Sequence, residues 1–159
     1  MTNYEILPDT TRVWIYQAKQ PLADSIVSEI EQHLINFTKS WVSHNHQLRA
    51  YGAVYYQQFI VLMVDESLAG ASGCSIDKSV HFVKQIEQQY NIDLFDRMTF
   101  TYKDGTNIKS ASKTDFAGLY QNGYINDETL VFDNLVKNKG EFEAKWLKPL
   151  GKSWLKRMV

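Results

Sequence analysis

Apolar side chains recur along the chain with two different periods, which indicate where strands and helices form. Residues 12–17 are rich in β-branched and aromatic side chains and follow a turn-like Pro8 segment, which predicts a first strand. From Pro21 to about Ser43 the apolar positions are three or four residues apart, which predicts a helix with proline in its permitted first turn. These apolar positions are Leu22, Ile26, Ile30, Leu34, Phe37 and Trp41.

The following segments predict a hairpin, a second helix and a further strand. Residues 50–56 and 59–66 are strand-like runs, although the Gln57 and Gln58 pair that joins them lacks the Asn-Gly chemistry of a tight turn. A helix is expected over residues 74–90, and strand character resumes over 97–102. This helix is expected to present Ile76, Val80, Val83 and Ile86 to the core.

In chain order these elements read β-α-β-β-α-β, the order of the ferredoxin-like split βαβ sandwich. The sequence therefore predicts one α+β domain over residues 1–159, with a ferredoxin-like antiparallel sheet and both helices on one face. One long strand in place of the hairpin would change this topology. Helical and strand additions are expected at the C-terminal end: a short strand at 107–109, a helix from the capping box at 112–115 to about 123, a strand at 129–132 and a helix at 141–148.

Composition and charge argue against several classes of function. A formal net charge of -1 gives no global positive field to attract nucleic acid. The first residues lack a signal segment, and no stretch approaches the roughly 18 apolar residues needed to cross a bilayer, so a cytoplasmic location without membrane contact is expected. Cys74 is the only cysteine, which excludes an intrachain disulfide and a four-cysteine zinc site. Neither a metal nor a cofactor is predicted.

The residues that lead into the second predicted helix form the main candidate site. Free N–H groups and the helix dipole favour an anion there, Gly73 permits a close approach, and Ser72 and Ser75 offer hydroxyls. Asp77 lies one turn further on. The same residue types also suit an ordinary helix cap, and Cys74 is either a nucleophile or a small apolar side chain.

The predicted topology brings other polar residues to the same edge of the sheet. The loop after the first helix would place His44 and His46 near Cys74, while Arg12 and Lys103 would come from the ends of two strands. Any loop edge collects polar residues, so this arrangement also has a purely structural explanation. His81 shares a helical face with Cys74 but lies about 10 Å further along the axis, too far for a direct hydrogen bond.

Three strings in the chain resemble a family of small uncharacterised bacterial proteins. They are Leu7–Gln17, Val64–Glu66 and Ser72–Val80, and the resemblance covers nearly the whole chain. Members of this family are often labelled "ABC transporter ATPase", but the resemblance implies no activity, substrate or catalytic residue. Such an ATPase needs a Gly-x-x-x-x-Gly-Lys loop, whereas Trp146 stands where Gly151 would require the first glycine. The label therefore has no support in this sequence.

Two functions are expected from these observations. The first is a non-catalytic domain that binds a small anionic ligand or a protein partner at Ser72–Asp77, with Arg12 at the same edge. The second is a thiol-dependent enzyme with Cys74 as nucleophile, assisted by His44 or His46. Fast alkylation of the thiol would favour the enzyme, whereas a binding domain would keep its ligand without the sulfur.

Overall fold

Four α-helices and nine β-strands form the regular structure of the chain, which the computed structural model describes over residues 1–159. In chain order they are β1 (Arg12–Gln17), α1 (Asp24–Ser40), β2 (Val42–Ser43), β3 (His46–Gln47), β4 (Arg49–Tyr55), β5 (Phe59–Asp65), α2 (Gly73–Tyr90), β6 (Thr99–Asp104), β7 (Asn107–Ser112), α3 (Lys113–Gln121), β8 (Leu130–Phe132), α4 (Lys139–Lys145) and β9 (Leu147–Pro149). Each segment predicted as a helix or strand contains that element, with its ends shifted by a few residues. The short strands β2, β3 and β9 were not predicted.

The first sheet is antiparallel and has the strand order β1-β5-β4. All seven residues of the central strand β5 are buried, because both faces of the sheet are covered. Side chains of α1 and α2 pack on one face, where Ile30 and Val83 are fully buried. The C-terminal part of the chain covers the other face with Phe132 and Trp146. An apolar run without alternation is the pattern expected of a strand in this position.

The fourth strand of the predicted ferredoxin-like sheet is not in its expected place. That topology puts β6 beside β1, but β6 pairs with β7 along one edge and with β8 along the other. It belongs to a second sheet with the order β7-β6-β8-β9. Because both edges of β6 are occupied, β1 has a partner strand on one side only. The fold is mixed α+β, and three of the four strands follow the predicted order.

The hairpin between β4 and β5 forms without the usual turn residues. Tyr56 and Gln57 take positive φ angles of 53° and 57°, and Gln58 N–H donates to the Tyr55 carbonyl at 3.0 Å. Positive φ is unfavourable for residues with bulky side chains. Packing offsets this cost, because the Tyr56 ring contacts Phe132, with ring centroids 5.1 Å apart, and also contacts Phe59 and Trp146.

A buried lysine holds the N-terminal segment in place. Lys139 is only 6% exposed, and its ammonium donates to the carbonyls of Tyr4, at 3.1 Å, and Leu7, at 2.8 Å. The same ammonium lies 4.3 Å from the centroid of the Tyr4 ring. These contacts stabilise a positive charge that would otherwise be costly to bury.

None of the helices combines the length and apolar character required to cross a membrane.

Candidate functional site

The departure of β6 from the first sheet leaves a cavity of about 470 Å³ beside β1. Its walls are formed by β1, by the segment that leads into β6 and β6 itself, by the loop after β8 and by the C-terminal 3-10 turn. Most of the lining side chains are apolar. A concave site with apolar walls and a few polar groups is the usual form of a ligand pocket.

The backbone of β1 is exposed to this cavity. Ala18 N–H donates to the Gln58 carbonyl at 2.8 Å, which continues the pairing of the even-numbered β1 residues with β5. In an antiparallel ladder the alternate residues direct their N–H and C=O groups to the other side. Those of Ile15 and Gln17 therefore point away from β5, along an edge with which no strand pairs.

Contacts at both ends limit the length of this open edge. At one end, Val13 N–H donates to the Lys137 carbonyl at 3.0 Å. At the other end, the side-chain Nε2 of Gln17 donates to the Thr99 carbonyl at 3.1 Å. Ile15 lies midway between these two contacts, so its N–H and C=O are at the centre of the open stretch.

Two side-chain amides in the cavity wall are held in fixed orientations. Gln17 is 7% exposed, and its Oε1 accepts a hydrogen bond of 2.9 Å from Asn134 Nδ2. Asn134 Oδ1 in turn accepts a hydrogen bond of 2.9 Å from Trp146 Nε1. Because each amide nitrogen has two hydrogens and uses one of them here, Gln17 and Asn134 each keep a second N–H to donate. The wall thus presents oriented donors on an apolar background.

Apolar side chains and an unpaired positive charge surround the mouth of the cavity. Phe95 is 36% exposed and Leu135 is 60% exposed, although both line the cavity. Arg97 also lines it, is exposed and forms no salt bridge. An exposed apolar side chain beside an unpaired guanidinium is favourable for a ligand that has both an apolar part and an acidic group.

The neighbouring carboxylate of Asp96 does not neutralise this guanidinium. A hydrogen bond from Thr99 lowers the pKa of Asp96, despite the opposing effect of burial, and the backbone N–H of Met98 also donates to it. Lys19 Nζ lies 3.9 Å from the same carboxylate. Asp96 is therefore an ionised group whose charge is shared with Lys19, and Arg97 remains without a partner.

The structure places Cys74 in the first turn of α2, as predicted, and leaves it exposed. Ser72 Oγ accepts a hydrogen bond from Ser75 N–H at 3.2 Å, and Ser75 Oγ donates to the Ser72 carbonyl at 2.8 Å. Both hydroxyls expected to bind an anion are thus engaged in the helix cap. The open donors that remain there belong to the backbone of the first turn, which includes Gly73.

An open groove beside this turn is lined by three side chains that the sequence placed on one face of the second helix. Cys74, Asp77 and His81 line it along one face of α2, opposite Phe37 and Trp41 from the end of α1. The predicted shared face is present. No group of three or more histidine, cysteine or carboxylate side chains is placed to hold a metal ion.

His44 and His46 belong to the hairpin of β2 and β3, in which His44 has a positive φ of 49°. Trp41, which precedes this hairpin, donates from Nε1 to the Ser75 carbonyl at 2.9 Å. The hairpin therefore starts beside the N-terminus of α2, at the end of the sheet that the topology predicted. Both histidines are exposed, and neither lines the groove that contains Cys74.

Arg12 and Lys103, the two charged residues that were predicted at the same edge of the sheet, lie at opposite ends of β5. Arg12 lies 3.7 Å from Glu66, at the expected edge of the first sheet. Lys103 was predicted at this edge, and that prediction is wrong. Lys103 Nζ lies 5.6 Å from the centroid of the Tyr56 ring. Tyr56 belongs to the turn between β4 and β5, which is at the opposite end of β5 from Arg12 and Glu66. Lys103 lies there because its strand, β6, belongs to the second sheet.

Sequence reasoning did not find the cavity or its polar groups. Gln17 was noted only as the end of a strand, and Asn134 and Arg97 were not singled out. The one available signal was a glutamine at a position of β1 where the alternation predicts a buried side chain.

Comparison of the chain with protein-family models, with curated proteins and with solved structures finds no match. The resemblance carried by Leu7–Gln17 therefore stays a prediction.

Proposed function

We propose that the protein is a binding domain that holds a small, mainly apolar ligand in the cavity beside β1. The observation that carries this proposal is the open edge at Ile15 and Gln17, which faces a space with apolar walls and two oriented amides. A volume of about 470 Å³ lies within the range of roughly 300–1,000 Å³ typical of ligand pockets.

Arg97 supports an acidic group on the ligand. Its guanidinium has no carboxylate partner and lies at the mouth, so a carboxylate or sulfonate there would gain a charge-assisted hydrogen bond. This proposal keeps the small anionic ligand expected from the sequence but moves its site away from Ser72–Asp77. Capping within α2 engages the Ser72 and Ser75 hydroxyls, which leaves the first turn with weaker support as a ligand site.

The second candidate is a thiol-dependent reaction at Cys74, which its exposure favours. A nucleophilic thiol needs a base within hydrogen-bond distance. Cys74 Sγ makes no hydrogen bond, and His44 and His46 lie outside its groove. His81 lines the groove seven residues further along α2, about 10 Å at the helical rise. The cavity therefore has the stronger support.

A fluorescence titration with anilinonaphthalene sulfonate tests the binding proposal, because this dye has an aromatic body and one anionic group. Wild-type protein should bind the dye saturably, with one site per chain. Leu135→Asp at the mouth places a charge on the apolar rim and should weaken binding about tenfold. Leu68→Asp is the matched control, since Leu68 is also exposed and lies outside the cavity. Absence of saturable binding to the wild type, or equal losses in both variants, would contradict the proposal.

A further inference from the structure

We propose that the ligand of this cavity is a short extended peptide that pairs with the open edge of β1 as an added strand. This inference rests on the proposed function and names the class of ligand. It starts from the position that β6 does not occupy, directly beside β1. A β1 edge without a strand partner presents N–H and C=O groups that favour pairing with another extended chain.

Ile15 is the centre of this pairing. Its N–H and C=O both point to the cavity side, and a residue of this kind exchanges two hydrogen bonds with the residue opposite it on an antiparallel neighbour. An apolar molecule without donors or acceptors would cover these backbone groups and leave them without hydrogen-bond partners, which is unfavourable. A peptide satisfies them and still presents apolar side chains to the walls.

The limits of the edge set the length of the peptide. Val13 and Gln17 are four residues apart, which corresponds to about 13 Å of strand and leaves room for about three residues. The Lys137 carbonyl closes one end and the Gln17 amide bond to Thr99 closes the other. A long strand of a folded partner could not continue past these contacts, so we infer a free short peptide as the occupant.

The two faces of the first sheet determine which side chains the peptide needs. On the helix side of β1, Tyr16 packs with Leu94, and on the other side Ile15 packs in the cluster that contains Phe132. A strand added beside β1 continues these two faces, so successive side chains alternate between them. Both environments are mainly apolar, with the Gln17 and Asn134 amides on the Ile15 side, which favours β-branched side chains at the positions that face them.

Displacement of the dye by two synthetic peptides tests this inference. The first is a tripeptide of valine, threonine and valine with an amidated C-terminus and a succinyl group on its N-terminus, which supplies the acidic group proposed to bind Arg97. The second has the same sequence with its central amide nitrogen methylated. Methylation removes the donor that would bond to the Ile15 carbonyl, so the second peptide should displace the dye at least about tenfold less well. In spectra of isotope-labelled protein, the first peptide should shift the amide signal of Ile15 and slow its hydrogen exchange.

The outcomes separate this inference from the proposed function. If the dye binds in the cavity but neither peptide displaces it, the peptide inference is wrong and the binding proposal stands. If both peptides displace the dye equally well, pairing with the β1 edge is wrong. If the dye itself does not bind, both proposals fail. Weaker displacement by the methylated peptide, together with the Ile15 signal change, supports the inference.

Discussion

The side-chain amide of Gln17 donates a hydrogen bond to the backbone carbonyl of Thr99, 3.1 Å away. This bond joins two sheets that share no paired strands. The oxygen of the same side chain, Gln17 Oε1, accepts a hydrogen bond from Asn134 Nδ2. One buried amide therefore connects β1, the start of β6 and the loop after β8, which are three of the segments that enclose the cavity.

Replacement of this amide should be costly for stability. Gln17→Leu keeps a similar volume but leaves the Thr99 carbonyl and the Asn134 amide without their partner, so we expect a loss of about 1–3 kcal/mol in the free energy of unfolding. Urea denaturation followed by tryptophan fluorescence would measure it. Gln32→Leu is the control, because Gln32 is exposed and should change stability by less than about 0.5 kcal/mol. Equal losses in the free energy of unfolding of the two variants would show that the Gln17 hydrogen bonds do not stabilise the fold.

A second prediction concerns the pH dependence of stability at Asp65. Burial raises the pKa of Asp65, but hydrogen bonds from Ser67 and the charge of Arg49 outweigh burial and hold the pKa below its usual value. Asp65 Oδ2 lies 3.0 Å from Arg49 Nη1 but accepts no hydrogen bond of good geometry. Because the folded-state pKa is lower than the unfolded one, this stabilisation is complete above the unfolded pKa and is lost as the pH falls through the folded pKa.

Asp65→Asn should therefore destabilise the protein at pH 7, and the difference from wild type should shrink below about pH 4. Breaking a buried pair costs about 3–5 kcal/mol, and partial exposure of Arg49 reduces our expectation to about 2 kcal/mol. Denaturant titrations at pH 7 and pH 3 would measure the change. Asp104→Asn removes an exposed pair with Lys109 and is the control. A loss that is the same at both pH values would contradict an ionic origin.

Cys74 should react with iodoacetamide in the native protein, because it is exposed in the first turn of α2. Mass spectrometry at intervals would show labelling without denaturant. Cys74→Ser removes no buried contact and should change the free energy of unfolding by less than about 0.5 kcal/mol. Labelling that requires denaturant would show a buried thiol and would end the thiol-enzyme hypothesis.

Mg²⁺ and ATP should not bind at micromolar affinity. No Gly-x-x-x-x-Gly-Lys loop is present. Gly151 and Lys152 lie in a 3-10 turn directly after β9, and no α-helix follows them. Isothermal titration calorimetry with and without Mg²⁺ would check this. Tight binding that depends on Mg²⁺ would contradict the prediction and restore the ATPase label.

The elements of the chain were more predictable than their pairing. Local periodicity identified the long helices and the strands of the first sheet, because burial on a sheet or helix face repeats within a few residues. The partner of β6 depends on a competition between distant segments. The turn at Gly105, which has a φ of 63°, directs β7 back along one edge of β6, and Val131 pairs with Tyr102 on the other. No local pattern reports that both edges are taken.

The cavity was beyond local sequence reasoning for the same reason. Ile15, Arg97 and Asn134 come from separate parts of the chain, and they meet only because β6 lies away from β1. Polar residues at the start of α2 could be singled out, since a helix N-terminus has a local signature. That signature does not distinguish a cap from a ligand site, and the hydrogen bonds of Ser72 and Ser75 show the cap.

The ammonium of Lys139 has a consequence for the order in which the contacts of the segment around Tyr4 and Leu7 form during synthesis. It binds carbonyls that lie 135 and 132 residues earlier in the sequence, at Tyr4 and Leu7. During synthesis, the first residues of this chain leave the ribosome long before their partner does. Thr2 N–H and the Tyr4 ring can reach Ala50 and Tyr51 once β4 has emerged. The two bonds to Lys139 must wait for residue 139, so this segment is fixed in two steps that are separated by about 90 residues of synthesis.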